Sequence, residues 1–258
     1  MASPMKVALI TASSAGLGAA IAKALAPEMR VIINYCSSPD RAAFVQQEMV
    51  AIAGTDKYED DKGSHPRFAS IRADLGRRSD IVRLVAETID TMGRLDVVIS
   101  SGGWTRILKF DDLDQNLDEE DWDRCYNINV KSHLFLLDAA RKHLDATEGS
   151  FVTVASVAGF KPSGSSISYA VTKAAQIHMM KCLARAVGPK IRVNSVSPGI
   201  LLTDWGRQFS KEHLQAAKDA TLLKRFAAVE NVAQAVKMLA SNDSLTGHNL
   251  VIDAGFSA

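Results

Sequence analysis

Short apolar runs alternate with longer segments of helical periodicity along the 258-residue chain. Runs such as Val31-Ile32-Ile33 and Val97-Val98-Ile99 lack polar alternation, which is typical of strands buried on both faces of a sheet. This order predicts repeated βαβ units around a parallel sheet. We therefore expect one α/β domain over residues 1–258, with a doubly wound, seven-stranded parallel sheet and helices on both faces.

The expected strands lie near residues 5–11, 30–35, 67–72, 95–100, 149–155, 190–196 and 248–252. The expected helices lie near 16–27, 39–53, 77–91, 119–144, 166–187 and 229–241, with a shorter one near 207–219. Residues 54–66 are polar and highly charged, which predicts a solvated loop.

Charge and composition exclude several classes of function. The net charge is +1 with interspersed signs, so we expect neither a nucleic-acid nor a membrane partner. Three cysteines lie far apart and six histidines are scattered, which argues against a disulfide framework or a metal site. The N-terminus leaves no room for a signal peptide, and no apolar run approaches the length of a membrane span. These features predict a soluble cytoplasmic protein.

A glycine-containing turn follows the first expected strand and opens the first helix. Its sequence is Thr11-Ala12-Ser13-Ser14-Ala15-Gly16-Leu17-Gly18. Glycines here let the backbone approach a pyrophosphate, which the free N–H groups and dipole of a helix N-terminus attract. The context favours a nucleotide site over a simple tight turn.

A second pattern indicates residues that can transfer a proton. Tyr169 and Lys173 lie four residues apart in an expected helix and so share one face. A neighbouring ammonium favours the ionised phenol, so we expect the pKa of Tyr169 to fall from about 10 towards neutrality. Ser156 ends the preceding strand and offers its hydroxyl to the same substrate oxygen. Such a set can move a proton to or from a carbonyl or alcohol oxygen.

Together these motifs resemble those of the short-chain dehydrogenase/reductase family, and the resemblance runs from about Lys6 to Gly255. The family's glycine motif is Thr-Gly-x-x-x-Gly-x-Gly, from which Ala12 departs. The family ends its fourth strand with Asn-Asn-Ala-Gly, where this chain has Ser100-Ser101-Gly102-Gly103. The resemblance implies a Rossmann fold. It also implies an enzyme similar to the ketoreductases of 3-oxoacyl carrier-protein and fungal polyketide metabolism.

The resemblance also implies the catalytic residues. Asn129, Ser156, Tyr169 and Lys173 match the family's tetrad, with Asn127 the less favoured candidate for the asparagine. Hydride would pass from the nicotinamide to a carbonyl carbon while Tyr169 protonates the oxygen. Ser156 would polarise that oxygen, Lys173 would hold the ribose and tune Tyr169, and Asn129 would anchor a water.

NADP(H) is the expected cofactor, with NAD(H) the alternative. The second strand ends on Asn34-Tyr35, with no acid at either position to bond the ribose hydroxyls of NAD. Cys36-Ser37-Ser38 follows, with Arg41 shortly after. Residues expected to contact the cofactor are Thr11, Ser13, Ser14, Gly16, Leu17, Gly18, Asn34, Tyr35, Ser37, Ser38, Arg41, Asp74, Leu75, Ser101, Gly102, Gly103, Tyr169, Lys173, Pro198, Gly199 and Thr203.

The substrate is expected to be a small-molecule carbonyl or alcohol, with a bulky cyclic or aromatic ketone of secondary metabolism favoured. A substrate loop should span about 200–223, and the expected substrate residues are Trp104, Phe160, Trp205 and Phe209. Alternatives are a 3-oxoacyl reductase, an NAD-dependent alcohol dehydrogenase, and a nucleotide-binding scaffold without redox turnover that serves as a sensor or cyclisation template.

Assembly is predicted from two long helices. The segments 119–144 and 166–187 carry apolar residues on more than one face. A helix that is apolar on several sides needs partners on several sides, so we expect a homodimer or homotetramer.

Overall fold

The computed structural model describes residues 4–60 and 63–258, and only the backbone of residues 59, 60, 63 and 64. The strands are β1 (Val7–Ile10), β2 (Arg30–Tyr35), β3 (Lys57–Asp60), β4 (Gly63–Pro66), β5 (Phe68–Arg72), β6 (Val97–Ser100), β7 (Ser150–Val154), β8 (Arg192–Pro198) and β9 (Asn249–Ile252).

Seven of these strands form one parallel sheet in the order β5-β2-β1-β6-β7-β8-β9. The prediction of a seven-stranded, doubly wound parallel sheet is confirmed. The chain winds outward in both directions from β1 and β6, so a crevice opens beyond the carboxyl ends of these two strands. This edge of the sheet carries the site described below.

The helices are α1 (Gly16–Leu25), α2 (Pro39–Ala53), α3 (Arg78–Met92), α4 (Glu119–Tyr126), α5 (Ser132–Thr147), α6 (Ile167–Val187), α7 (Lys211–Ala220) and α8 (Val229–Ser241). α1, α2 and α8 cover one face of the sheet, and their apolar residues join the first core cluster. α3, α5 and α6 cover the other face and build the second. Packing on both faces explains why the strands are apolar throughout.

Two sequence expectations need correction. The helix expected over 119–144 is interrupted by a π-helical turn over Asn127–Lys131, which separates α4 from α5. The loop expected over 54–66 contains an antiparallel hairpin, β3–β4, while residues 61 and 62 lie outside the described residues. The segment is highly charged and carries no apolar alternation, so its composition does not predict strands. The Tyr58 hydroxyl accepts the Met5 N–H at 2.9 Å.

No helix among residues 4–60 and 63–258 is long and apolar enough to cross a membrane.

Candidate active site

The turn between β1 and α1 brings backbone unusually close to backbone. A Cβ on Gly18 would lie 2.4 Å from the Ala12 carbonyl oxygen and 2.8 Å from the Ser13 Cα, so only glycine fits there. Gly16 adopts φ +54°, the left-handed region that glycine enters at no steric cost. No side chain caps α1, since its N-cap residue is Ala15. The first turn of the helix is therefore open to an anion.

Ala12 stands where the family has glycine, and its backbone explains that preference. Its φ is +50°, a conformation that costs a residue with a Cβ about 1 kcal/mol. The Ala12 N–H donates to Asn34 Oδ1 at 3.0 Å, which helps to hold the strained residue in place. The departure from the family motif is thus accommodated with strain.

The structure corrects the expectation that Asn34 faces the cofactor. Its side chain is buried, and Nδ2 donates to the carbonyls of Tyr35, Ile71 and Ala73 at 3.2–3.3 Å. With Oδ1 bound to Ala12, the amide has no group left for a ligand. Asn34 braces the ends of β2 and β5 against the glycine turn. Ser37, Asp40 and Arg41 are the exposed polar side chains in this region.

Ser156 follows β7 and begins a 3₁₀ turn over Val157–Gly159. Its Oγ accepts the Ala158 N–H at 3.2 Å, and the hydroxyl lies on the side of the turn that faces the Tyr169 phenol, whose pKa it acts to lower. The turn lies directly on α6, because a Cβ on Gly159 would lie 2.8 Å from the carbonyl carbon and oxygen of Lys173. Glycine at this position is what lets Ser156 reach the tyrosine.

Tyr169 and Lys173 lie on the same face of α6, with Lys173 Nζ 5.6 Å from the centroid of the Tyr169 ring. The expected lowering of the Tyr169 pKa is wrong for this structure. Burial raises the pKa of Tyr169 to about 12, although the hydrogen bond from Ser156 opposes the change. Burial likewise lowers the pKa of Lys173 to about 7, so the ammonium is costly to keep at this position.

Asn129 lies buried in the π-helical turn and binds backbone on both sides of its amide. Oδ1 accepts the Trp104 N–H at 2.7 Å, and Nδ2 donates to the Trp104 carbonyl at 2.9 Å and to Thr172 Oγ1 at 3.0 Å. Its side chain therefore fixes the segment after β6 against α6. Both polar atoms of the side chain have protein partners, and the water expected at Asn129 stays a prediction.

One cavity of about 620 Å³ connects the glycine turn with Ser156, Tyr169 and Lys173. The expected site residues that line it are Gly16, Leu17, Gly18, Arg41, Ser101, Gly103, Ser156, Tyr169, Lys173, Pro198, Gly199, Thr203, Trp205 and Phe209. Thr203 lies beside the glycine turn, since a Cβ on Gly16 would meet its Cγ2 at 3.4 Å.

The other expected residues lie behind or beside this cavity. Thr11, Ser13 and Asn34 are buried, and the Thr11 and Ser13 hydroxyls bind neighbouring backbone. Gly102 packs under Leu75, whose Cδ1 would lie 2.4 Å from a Cβ added there. The remaining cofactor candidates, Ser14, Tyr35, Ser37, Ser38 and Asp74, also lie outside the cavity wall.

Two of the four expected substrate residues are not in the cavity. The Trp104 ring lies 4.5 Å from the Arg124 guanidinium, and its backbone is held by Asn129. Phe160 is 47% exposed and does not line the cavity. Trp205, in contrast, contacts the Tyr169 ring edge-on at a centroid distance of 6.1 Å.

Several cavity residues were missed by sequence reasoning: His213, Ala216, Ala217 and Ala220 of α7, together with Phe226 and Phe256. Phe256 follows β9, and the carboxyl ends of parallel strands share one edge, so its position could have been predicted. Lys161 donates to the Phe256 carbonyl and lies 4.0 Å from the ring centroid, which holds the C-terminus at the cavity. α7 lies within the substrate loop expected over about 200–223, although none of its residues was named individually.

Among the described residues, no group of three or more His, Cys, Asp or Glu side chains could hold a metal ion.

Comparison with known proteins agrees with this geometry. A family model described as enoyl-(acyl carrier protein) reductase matches residues 11–257. A Streptomyces violaceoruber protein named as a granaticin polyketide synthase ketoacyl reductase is 34% identical over 253 residues, which cover 96% of this chain and 95% of that protein. The 3-oxoacyl-[acyl-carrier-protein] reductase of Staphylococcus aureus is 29% identical over 255 residues, 97% of either chain. A solved short-chain dehydrogenase from Burkholderia cenocepacia in complex with NADP has a TM-score of 0.86 at 30% identity over 99% of both chains. The chain therefore belongs to the short-chain dehydrogenase/reductase family of oxidoreductases.

Proposed function

We propose that this protein is an NADP(H)-dependent reductase that converts a bulky cyclic or aromatic ketone to an alcohol. One observation carries the proposal: Ser156, Tyr169 and Lys173 share a single cavity with the glycine turn. A scaffold without turnover would need the turn but not the three proton-handling side chains at the other end. The same groups also serve the reverse oxidation, so the geometry does not depend on direction.

The residues present fit a dinucleotide. The uncapped start of α1 and the close packing at Gly18 leave room for a pyrophosphate against backbone N–H groups. Lys173 Nζ donates to the Val154 carbonyl and to Gln176 Oε1, both at 2.9 Å, which leaves its third N–H for a ribose hydroxyl. The bound nicotinamide supplies hydride to the carbonyl carbon.

Arg41 supports the choice of NADP(H). It lines the cavity and pairs with Asp204 at 2.9 Å, with both side chains more than half exposed. Such a pair contributes little stability, so Arg41 can exchange this carboxylate for a 2′-phosphate at little cost. Among relatives, the Burkholderia cenocepacia protein was solved with NADP.

The proton chemistry belongs to Tyr169. Burial raises the pKa of its phenol to about 12, so the phenol carries a proton at neutral pH that it can donate to a carbonyl oxygen. The Ser156 hydroxyl lines the same cavity as the phenol and would bind the same carbonyl oxygen. Lys173 supplies the positive charge that stabilises the phenolate left after proton transfer.

The cavity wall favours an aromatic substrate. Trp205, Phe209, Phe226 and Phe256 line it, and Phe209 stacks on His213 at a centroid distance of 4.8 Å. Flat aromatic walls bind flat rings through area burial and stacking. A 3-oxoacyl thioester is the second candidate, because the relatives from Streptomyces and Staphylococcus are named as ketoacyl and 3-oxoacyl reductases.

We also propose a homo-oligomer. The interface was predicted from apolar residues of the segments 119–144 and 166–187. Several of them are buried in the protein's own core, among them Leu136, Leu137 and Met180. Leu134 and Val171 nevertheless remain 39% exposed on α5 and α6. Sedimentation velocity at micromolar concentration should give a dimer or tetramer, and a monomer of 27.8 kDa would contradict this proposal.

The experiment is a substrate panel with purified protein. NADPH and NADH are each offered with polycyclic aromatic ketones, with a 3-oxoacyl thioester, and with short aliphatic ketones as a size control. We expect oxidation of NADPH with the aromatic ketones and recovery of the alcohol by mass spectrometry. Turnover with the thioester alone selects the second candidate, and cofactor binding without turnover of any ketone rejects the proposal.

A further inference from the structure

A chain of buried polar side chains runs from Lys173 into the interior of the domain. Lys173 contacts Gln176 on α6, Gln176 contacts His133 on α5, and His133 contacts Ser100 at the end of β6. The four side chains are 3%, 0%, 0% and 2% exposed. Buried polar groups are costly unless each finds a partner, so a continuous chain of this length needs an explanation.

The amide of Gln176 has one favourable orientation. Oε1 accepts from Lys173 Nζ at 2.9 Å, while Nε2 lies 3.2 Å from the Val154 carbonyl. Reversing the amide would set Oε1 against that carbonyl, acceptor against acceptor, and Nε2 against the Lys173 ammonium, donor against donor. The Val154 carbonyl itself accepts from both Lys173 and Gln176.

This orientation assigns the tautomer of His133. Gln176 Nε2 is a donor, so His133 Nε2, 3.1 Å away, must accept. The ring proton therefore lies on Nδ1 and is donated to Ser100 Oγ at 2.6 Å. Burial and the charge of Lys173 lower the pKa of His133 to about 3, which keeps the ring neutral and able to accept.

From this geometry we infer that Gln176 is a positioning residue that holds the Lys173 ammonium beside Tyr169, and that His133 and Ser100 act through it by locking its amide. The inference rests on the proposed function of Lys173. Neither Gln176 nor His133 lines the cavity, so neither contacts substrate. Ser100 stands at the first Asn of the family's Asn-Asn-Ala-Gly, and its shorter side chain is the one that His133 contacts.

The consequence concerns the charge of Lys173. Burial already lowers its pKa to about 7, so an acceptor at 2.9 Å matters to whether it stays protonated. The titratable groups around it are Tyr169 on its own helix, Cys125 on α4 and His133 on α5. Removing the Gln176 acceptor should let Lys173 deprotonate at lower pH, because the protonated amine then has one hydrogen-bond partner fewer in a buried site.

The test uses Gln176→Met, which keeps the length of the side chain, and His133→Leu, alone and combined. Met180→Leu, one turn later on α6 and equally buried, is the control for disturbance of the helix. We expect Gln176→Met to lower kcat by about 10- to 100-fold, the usual effect of losing a hydrogen bond to a charged group, with KM nearly unchanged. The basic limb of the kcat profile should move to lower pH.

Two measurements separate a positioning role from a structural one. Fluorescence titration of NADPH binding at successive pH values, with Lys173→Met as the reference, should show affinity falling at lower pH in Gln176→Met than in the wild type, without any turnover. Since His133 acts through Gln176, adding His133→Leu to Gln176→Met should cost almost nothing more in kcat. Any of three results would overturn the inference. The losses of kcat in Gln176→Met and His133→Leu could add in the double variant, or the pH profile of Gln176→Met could match that of the wild type. Met180→Leu could also lose as much kcat as Gln176→Met at the same melting temperature. If Lys173→Met itself retains full activity, the proposed function fails instead.

Discussion

Gly159 offers a sharp test of how the fold places Ser156. In Gly159→Ala the new methyl would lie 2.7 Å from Ile177 Cδ1 and 2.8 Å from the Lys173 carbonyl carbon and oxygen. The Ile177 side chain can turn away, but the α6 backbone cannot. The 3₁₀ turn must therefore lift off the helix by several tenths of an ångström, and Ser156 moves with it.

The expected cost has two parts. Overpacking of this kind destabilises a protein by about 1–3 kcal/mol. Because a catalytic group displaced by about 1 Å can lose 10²-fold in rate, we expect kcat to fall by at least about tenfold while cofactor affinity is kept.

Thermal unfolding and steady-state kinetics are measured in parallel with Gly54→Ala as the control. Gly54 has φ +75° and open space around it, so its substitution costs about 1 kcal/mol of backbone strain far from the cavity. The control should lose stability and keep kcat. Equal kcat in Gly159→Ala and wild type would refute the reasoning, because the turn would then not need its contact with α6.

Three further predictions concern single residues. Ala12→Gly removes backbone strain at φ +50° but raises the entropy of the unfolded chain, so the free energy of unfolding should change by less than about 1 kcal/mol. A larger loss of unfolding free energy, measured by chemical denaturation, would contradict the strain argument. Arg41→Leu should raise the Kd for NADPH about 10- to 100-fold and leave the Kd for NADH little changed, as measured by fluorescence titration. Asp204→Asn should lower the Kd for NADPH, because Arg41 is then free of its ion pair. An equal effect of Arg41→Leu on both cofactors would exclude a contact between Arg41 and the 2′-phosphate. Lys173 has a pKa of about 7 in the folded protein and 10.5 as an ordinary lysine, so between these pH values the unfolded chain binds more protons and the free energy of unfolding should rise by up to about 1.4 kcal/mol per pH unit. Urea titrations at successive pH values should show a smaller rise in Lys173→Met. An unchanged rise would contradict the lowered pKa of Lys173.

The fold could be predicted from the sequence because its signals are local. Apolar runs such as Val97-Val98-Ile99 mark buried strands, and their alternation with helices allows few topologies besides a parallel sheet. Gly16, Gly18, Tyr169 and Lys173 could be placed at one edge because parallel strands end together. The hairpin over 57–66 could not, since its charged residues carry no apolar alternation.

The protonation states of the site residues could not be predicted from the sequence, because they depend on burial in the folded protein. The sequence shows that Tyr169 and Lys173 share a face, but only burial shows that the Tyr169 pKa rises and the Lys173 pKa falls. Asn34 lies at the end of β2, where the family distinguishes NAD from NADP, yet its side-chain hydrogen bonds all go to the protein's own backbone. The contact between His133 and Gln176, 43 residues apart, has no periodic signal at all.

Whether Tyr169 transfers the proton is the question on which the whole account depends, and Tyr169→Phe answers it most directly. The ring stays against Trp205 and only the hydroxyl leaves, so melting temperature and cofactor affinity should match the wild type. Single-turnover reduction of the ketone identified in the panel should slow by about 10²–10⁴-fold, the contribution of a general acid. Lys173→Met should slow it similarly, and the double variant should be little worse than either, because both act in one proton transfer. Near-normal reduction by Tyr169→Phe would contradict the account and leave the chain as a nucleotide-binding scaffold.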